Sequence, residues 1–188
     1  MSQEDRERWE GRHRAQGARL EPLAFVVAQR SRLPTHGAAL DVAGGTGRHA
    51  LLLGSQGLDV TLLDISPAAL EIAAAAARAE GLALTTVAVD LDTDALPAGP
   101  FDVVLCTYFR WPPLLAAAAA VLRPGGLVLL AHPTLRNLER HPRPGARFLL
   151  EPGELARGVP AELEVLELAE RWTDAGQHEA QLVARRRS

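Results

Sequence analysis

The chain has 188 residues, 47% of them hydrophobic, and a formal net charge of −3. That is enough to bury one large core, and too acidic overall for a nucleic-acid coat. A single cysteine, Cys106, excludes an intrachain disulfide and fits a reducing, cytoplasmic setting. No run approaches the ~18 apolar residues of a membrane span, and the first residues lack the apolar stretch of a secretory signal. The scattered histidines show no metal-ligand spacing, so no metal is expected.

Residues 1–19 are charged and nearly free of aliphatics, with Trp9 as the one large apolar group. They read as an arm, a lid over a site with Trp9 as its plug. Leu23, Phe25, Val26 and Val27 predict a helix closed off by Pro34 and Gly37. Ala38 to Val42 reads as a buried strand, His49 to Gln56 as a helix, and Leu58 to Leu63 as a second strand. Ser66-Pro67 marks the next helix start, with serine as N-cap and proline in the first turn. This helix runs through an alanine stretch to Gly81. Leu82 to Val89 and Phe101 to Cys106 follow as strands three and four. Leu114 to Leu122 is a helix stopped by Arg123-Pro124-Gly125-Gly126, and Leu127 to Ala131 is a fifth strand. Such alternation predicts a parallel sheet covered on both faces. After residue 132 come about thirty residues rich in proline, arginine and glycine, a length that implies a job. The last two strands, Leu163 to Trp172 and Gln177 to Arg186, are too close for a crossover and must pair as an antiparallel hairpin.

Asp41-Val42-Ala43-Gly44-Gly45-Thr46-Gly47-Arg48-His49 falls where the first strand meets the first helix of the sheet. Glycines there permit close backbone approach to a ligand, and the helix start offers unpaired N–H groups. In a doubly wound sheet this is the ligand crevice. Gly45 to Ala50 also fits a dinucleotide pattern with Asp64 nineteen residues on, a weak signal by itself. Asp41 directly before the glycines, Asp90 with Asp92 ending the third strand, and the closing hairpin after Leu122-Arg123-Pro124-Gly125-Gly126 all point elsewhere.

Together these residues resemble the class I S-adenosylmethionine-dependent methyltransferases across residues 36–186. The narrower likeness is to the small tellurite-resistance and thiopurine-type branch, through Trp9 and the run from Phe148 to Glu154-Leu155. The resemblance implies an α/β fold: a Rossmann-like seven-stranded methyltransferase sheet, mostly parallel with a C-terminal antiparallel hairpin. The chain is expected to be one domain over 1–188, with 1–35 as arm and helix and 36–186 as the core. The cofactor implied is S-adenosyl-L-methionine, held by Asp41, Ala43, Gly44, Gly45, Gly47, Asp64, Ile65, Asp90, Leu91 and Cys106. Within that set Asp64 would take the ribose hydroxyls, Asp41 would order the glycine loop and reach, directly or through water, the amino group of the methionine moiety, and Asp90 would take the adenine amine with Leu91 against the ring, Asp92 being its close competitor. Ala43 stands where the family has a glycine; alanine tolerates positive φ poorly, so an ordinary backbone conformation is expected there.

Acceptor-side candidates are Trp9, Tyr108, Phe109, Arg110 and His132, with Trp111 nearby. No catalytic residue stands out, because in-line positioning at a sulfonium supplies most of the rate and a base is needed only for an acceptor that carries a proton. The stretch from His132 to Arg147 holds Arg136, Arg140, Arg143 and Arg147 against one acid, Glu139, which would suit an anionic acceptor or an RNA backbone. The Asn/Asp-Pro-Pro-aromatic element of amino methyltransferases acting on nucleic acids is absent after the fourth strand. The expected partner is therefore a small-molecule acceptor. The alternatives are an RNA methyltransferase, or a protein that binds S-adenosylmethionine without turnover.

Overall fold

The computed structural model describes residues 10–11 and 21–188. Trp9, and the arm read as a lid except for Glu10 and Gly11, lie outside them. The helix labelled α1 is Ala24–Ala28, followed by a 3-10 turn at Arg30–Arg32. Then come β1 (Ala38–Val42), α2 (Arg48–Ser55), β2 (Asp59–Asp64), α3 (Pro67–Ala79), β3 (Leu84–Ala88), β4 (Phe101–Thr107) and α4 (Leu114–Val121). The last elements are β5 (Leu122–Pro133), α5 (Glu154–Arg157), β6 (Leu163–Trp172) and β7 (His178–Arg186). Among the described residues no helix is long and apolar enough to cross a membrane.

The seven strands form one sheet in the order β3-β2-β1-β4-β5-β7-β6. β1 to β5 run parallel, and β7 inserts antiparallel between β5 and the edge strand β6. The order reverses at β1, between β2 and β4, so the crevice opens at the carboxyl end of β1. Nearly every position of β1 and β4 is buried, as helices on both faces require.

One face packs Leu40, Val42, Val104 and Cys106 against α4 and α5; the other packs Leu62, Val103, Leu105 and Leu129 against α1, α2 and α3. Alanines carry α3 close to the sheet: Ala69, Ala73 and Ala77 are all buried. Ser66 caps this helix, accepting from the Ala69 amide at 3.2 Å, as the Ser-Pro pair predicts. The Arg-Pro-Gly-Gly turn departs from its expected role. It is a bulge inside β5 rather than a stop before it, because Leu122 already pairs with Phe101 before the register shifts and resumes at Val103–Leu127.

Candidate functional site

Register places three segments on one edge of the sheet. Val42 pairs with Cys106, and Thr107 with Ala131, so the chain leaves β1, β4 and β5 side by side. Adjacent strands lie ~4.8 Å apart, so the glycine loop and the end of β5 are separated by about 10 Å.

The glycine loop is tied to the end of β2. The Gly44 amide donates to the Leu63 carbonyl at 3.0 Å. The Gly45 amide donates to Asp64 Oδ2 at 2.8 Å, and the Ser66 amide to Asp64 Oδ1 at 2.9 Å. Ala43 corrects the expectation made for it: its φ is +53°, in the left-handed region. The strain of about 1–2 kcal/mol is offset by the turn it makes, which aims the Gly44 amide at Leu63. Two of the glycines are needed for lack of room. A Cβ on Gly44 would lie 2.6 Å from Asp41 Oδ2, and one on Gly47 would lie 2.8 Å from Ala73 Cβ at a φ of +86°.

Asp41 sits beneath this loop, 1% exposed. Neither of its oxygens has a hydrogen-bond partner among the described residues. Burial pushes its carboxyl up to about 7; Arg48 draws it down and Asp64 raises it further. The Ala50 amide faces it and lowers it slightly without reaching hydrogen-bond geometry. A buried acid with no partner is costly unless something else supplies one.

Beside it, His49 is a strut that the sequence reading passed over. The Leu23 amide donates to Nε2 at 3.2 Å, so the proton sits on Nδ1 and is shared with Thr107 Oγ1 at 3.3 Å. Burial holds this ring neutral, with its pKa down to about 3. It joins the residue before α1 to the end of β4.

Four further cofactor-side candidates fall as follows. Ile65 and Leu91 are buried, Leu91 within the core under α4. Asp90 is half-buried and accepts from the Asp92 amide at 3.1 Å. Cys106 is fully enclosed: its Sγ donates to the Phe109 carbonyl at 3.7 Å, and burial pushes the thiol well up.

On the acceptor side, Tyr108 turns the chain at φ +60°. Its hydroxyl donates to Glu179, a buried carboxylate that also accepts from Gln181 Nε2 at 2.9 Å. One hydroxyl hydrogen cannot also serve the Gln177 side-chain oxygen at 2.8 Å, so the Gln177 amide is turned to donate. Tyr108 is thus committed through its polar end to β7, with Arg48 5.4 Å from its ring centroid.

The next residues open a cleft whose walls include Phe109, Trp111, Leu130, His132, Leu150 and Glu154. Arg110 closes one side through a 2.7 Å pair with Glu154. His132 Nε2 lies 2.7 Å from the Phe148 carbonyl; a carbonyl only accepts, so this nitrogen carries the proton. Nδ1 is buried without a partner. Desolvation lowers the pKa of the ring, Arg110 adds to that, and the Phe148 carbonyl and Glu154 oppose it. The Phe148-to-Leu155 run singled out in the sequence therefore forms part of the cleft wall.

The arginine-rich stretch is largely occupied. Arg136 pairs with Glu139 at 2.9 Å, Arg140 stacks 3.7 Å from the Trp172 ring centroid, and Arg147 lies 4.5 Å from that of Phe148. His141 Nε2 donates to the Gly176 carbonyl at 2.7 Å. The Arg140 and His141 contacts fasten the segment to the β6–β7 turn.

Residues 39–126 match a family model described as a methyltransferase domain. No protein of curated function matches the chain in sequence. Solved structures similar to it include one from work on the conversion of a disulfide bond into a thioacetal group during echinomycin biosynthesis (21% identity, TM-score 0.75, 97% of this chain and 92% of that one). TehB from Haemophilus influenzae is similar at 20% identity and TM-score 0.76, over 95% of this chain and 67% of its own. Coclaurine N-methyltransferase bound to N-methylheliamine and SAH is similar at 11% identity and TM-score 0.70, over 86% and 71%. The family model over residues 39–126 and the seven-stranded order agree: this part of the chain is a methyltransferase domain, and the sheet is that of the Rossmann-like methyltransferase folds.

Proposed function

We propose that the chain transfers a methyl group from S-adenosylmethionine to a small-molecule acceptor held in the cleft between Phe109, Trp111 and His132. The observation that carries this reading is the cleft itself, which is walled mostly by apolar side chains with a few polar groups among them, and lies on the same sheet edge as the glycine loop. Two of the three structures compared above also come from small-molecule chemistry, by their own descriptions.

The residues present fit the cofactor. Asp41 is a buried carboxylate lacking a partner, and a cationic amino group is the partner it lacks. Gly44 leaves the backbone open above it, since a Cβ there would collide with Asp41. Asp64 holds the loop through two amides, and a carboxylate oxygen can accept more than one hydrogen bond, which is the chemistry ribose hydroxyls require. Asp90 and the end of β4 flank the adenine side in this reading. When bound, the cofactor supplies an electrophilic methyl group. The protein binds, orients and excludes water, so that positioning contributes most of the rate.

RNA as the main acceptor is disfavoured by the same geometry. Within the arginine-rich stretch Arg136, Arg140 and Arg147 make contacts inside the fold, and the chain is net acidic, which works against extended phosphate contacts. The test is to incubate the purified chain with methyl-labelled S-adenosylmethionine and cell extract, then separate small molecules, RNA and protein. Label in the small-molecule fraction that survives ribonuclease pretreatment is expected. Label chiefly in RNA would refute the reading.

A further inference from the structure

In the wall of the cleft lies a buried polar atom that the described residues leave without a partner. His132 is 4% exposed, and its Nε2–H is committed to the Phe148 carbonyl at 2.7 Å. That bond fixes the tautomer: the neutral ring carries its lone pair on Nδ1. Nδ1 has no hydrogen-bond partner among the described residues, yet the ring forms part of the cleft wall. A buried acceptor left in this state is unfavourable, and a donor reaching it from the cleft would remove the cost.

We infer that His132 Nδ1 takes the proton of the acceptor, and that the acceptor therefore bears a weakly acidic O–H or S–H, a phenol or a thiol. The inference rests on the small-acceptor reading above and names the chemistry of that same site. As the acceptor's electron pair forms its bond to the methyl carbon, the carbon–sulfur bond breaks with its electrons going to sulfur. The O–H or S–H proton passes to Nδ1, and the resulting imidazolium returns it to solvent.

The surroundings define the base. From the β4 side Arg110 faces the ring, from α5 Glu154 faces it, and the two are paired at 2.7 Å. The residues of α4 that share the cleft, Leu114 and Leu115, are apolar, as is Ala180, which pairs with His132 from β7. Burial in this setting keeps the ring neutral at pH 7 and makes it a weaker base than free imidazole. A weak base matches acids such as thiols (pKa about 8.5) or phenols (about 10), and aliphatic alcohols lie far outside its reach. Phe109 and Trp111 provide flat apolar walls suited to an aryl group.

The test uses the full chain and two probes, phenol and 4-nitrothiophenol, the second already ionised at pH 8. His132→Gln keeps an N–H near the Phe148 carbonyl and removes the Nδ1 lone pair. The expected result is a fall in kcat of about a hundred- to ten-thousandfold with phenol, little change in KM, and at most about a threefold change with the ionised thiol. A second readout needs no turnover: in the ¹⁵N-labelled protein saturated with S-adenosylhomocysteine, phenol should move the Nδ1 resonance toward that of a hydrogen-bonded nitrogen. An Nδ1 resonance unmoved by phenol, or a variant that treats both probes alike, overturns the inference. Neither result touches the small-acceptor reading, which stands or falls with the extract fractionation.

Discussion

Replacing Asp41 by asparagine should make the cofactor-free protein more stable relative to wild type as pH rises. The carboxyl titrates near 3.8 in an unfolded chain and at about 7 in the fold, chiefly because it is buried. Between those values the folded state holds a proton that the unfolded state has lost, so this group's contribution to stability falls as pH rises and levels off above about 7. At about 1.4 kcal/mol per pH unit, the difference between variant and wild type should move by about 3 kcal/mol in the variant's favour from pH 5 to pH 8. Stranding the new amide costs about 1–3 kcal/mol at either pH, which offsets the curves without changing their slope. Urea unfolding of both proteins at the two pH values measures this. The same substitution should weaken S-adenosylhomocysteine binding by about ten- to a hundredfold, the worth of a hydrogen bond to a charged group. A stability difference that does not change with pH, or that moves the other way, would refute the account of Asp41 as a buried acid awaiting a cation.

Other substitutions probe the loop and the reach of the site. Asp64→Ala removes the acceptor of the Gly45 and Ser66 amides, and calorimetry should show cofactor binding weakened by about ten- to a hundredfold. Gly47→Ala should lower stability by several kcal/mol in thermal or urea unfolding, because its Cβ would meet Ala73 at 2.8 Å in a left-handed backbone; a loss under about 1 kcal/mol would mean that α2 and α3 are not tightly packed there. Ala43→Gly relieves a φ of +53° and should raise stability by up to about 1 kcal/mol in the same assay, a helix-interior Ala→Gly change having the opposite sign. RNA binding, followed by fluorescence anisotropy across a salt titration, should be weak and vanish near physiological salt.

The elements that position the site were legible because they depend on local patterns. The β1 and β6 limits, the Ser66 cap and the closing hairpin follow from apolar runs, a Ser-Pro pair and a turn too short for a helix. Asp41, the glycines and Asp64 were readable as a crevice from their spacing around a strand end. What escaped was set by contacts between residues distant in sequence. Nothing around His49 announces that it bridges Leu23 and Thr107. The hydroxyl of Tyr108 is claimed by Glu179, seventy-one residues on. Charge counting overstated the arginine stretch, because the ring of Trp172 and the carboxylate of Glu139 take up its cations. Propensity alone misjudged Ala43, where the hydrogen bond from Gly44 to Leu63 dictates the backbone.

The central claim is that the crevice beneath the glycine loop is built for S-adenosylmethionine, and parallel calorimetric titrations of the purified chain test it most directly. S-adenosylhomocysteine and NAD are titrated into the same protein at pH 6 and pH 8, in buffers of different ionisation enthalpy. The account predicts that S-adenosylhomocysteine binds at least about tenfold more tightly than NAD, and that at pH 6 its binding releases a proton as Asp41 ionises against the ligand's amino group. Tighter binding of NAD, or no proton release at pH 6, would contradict it.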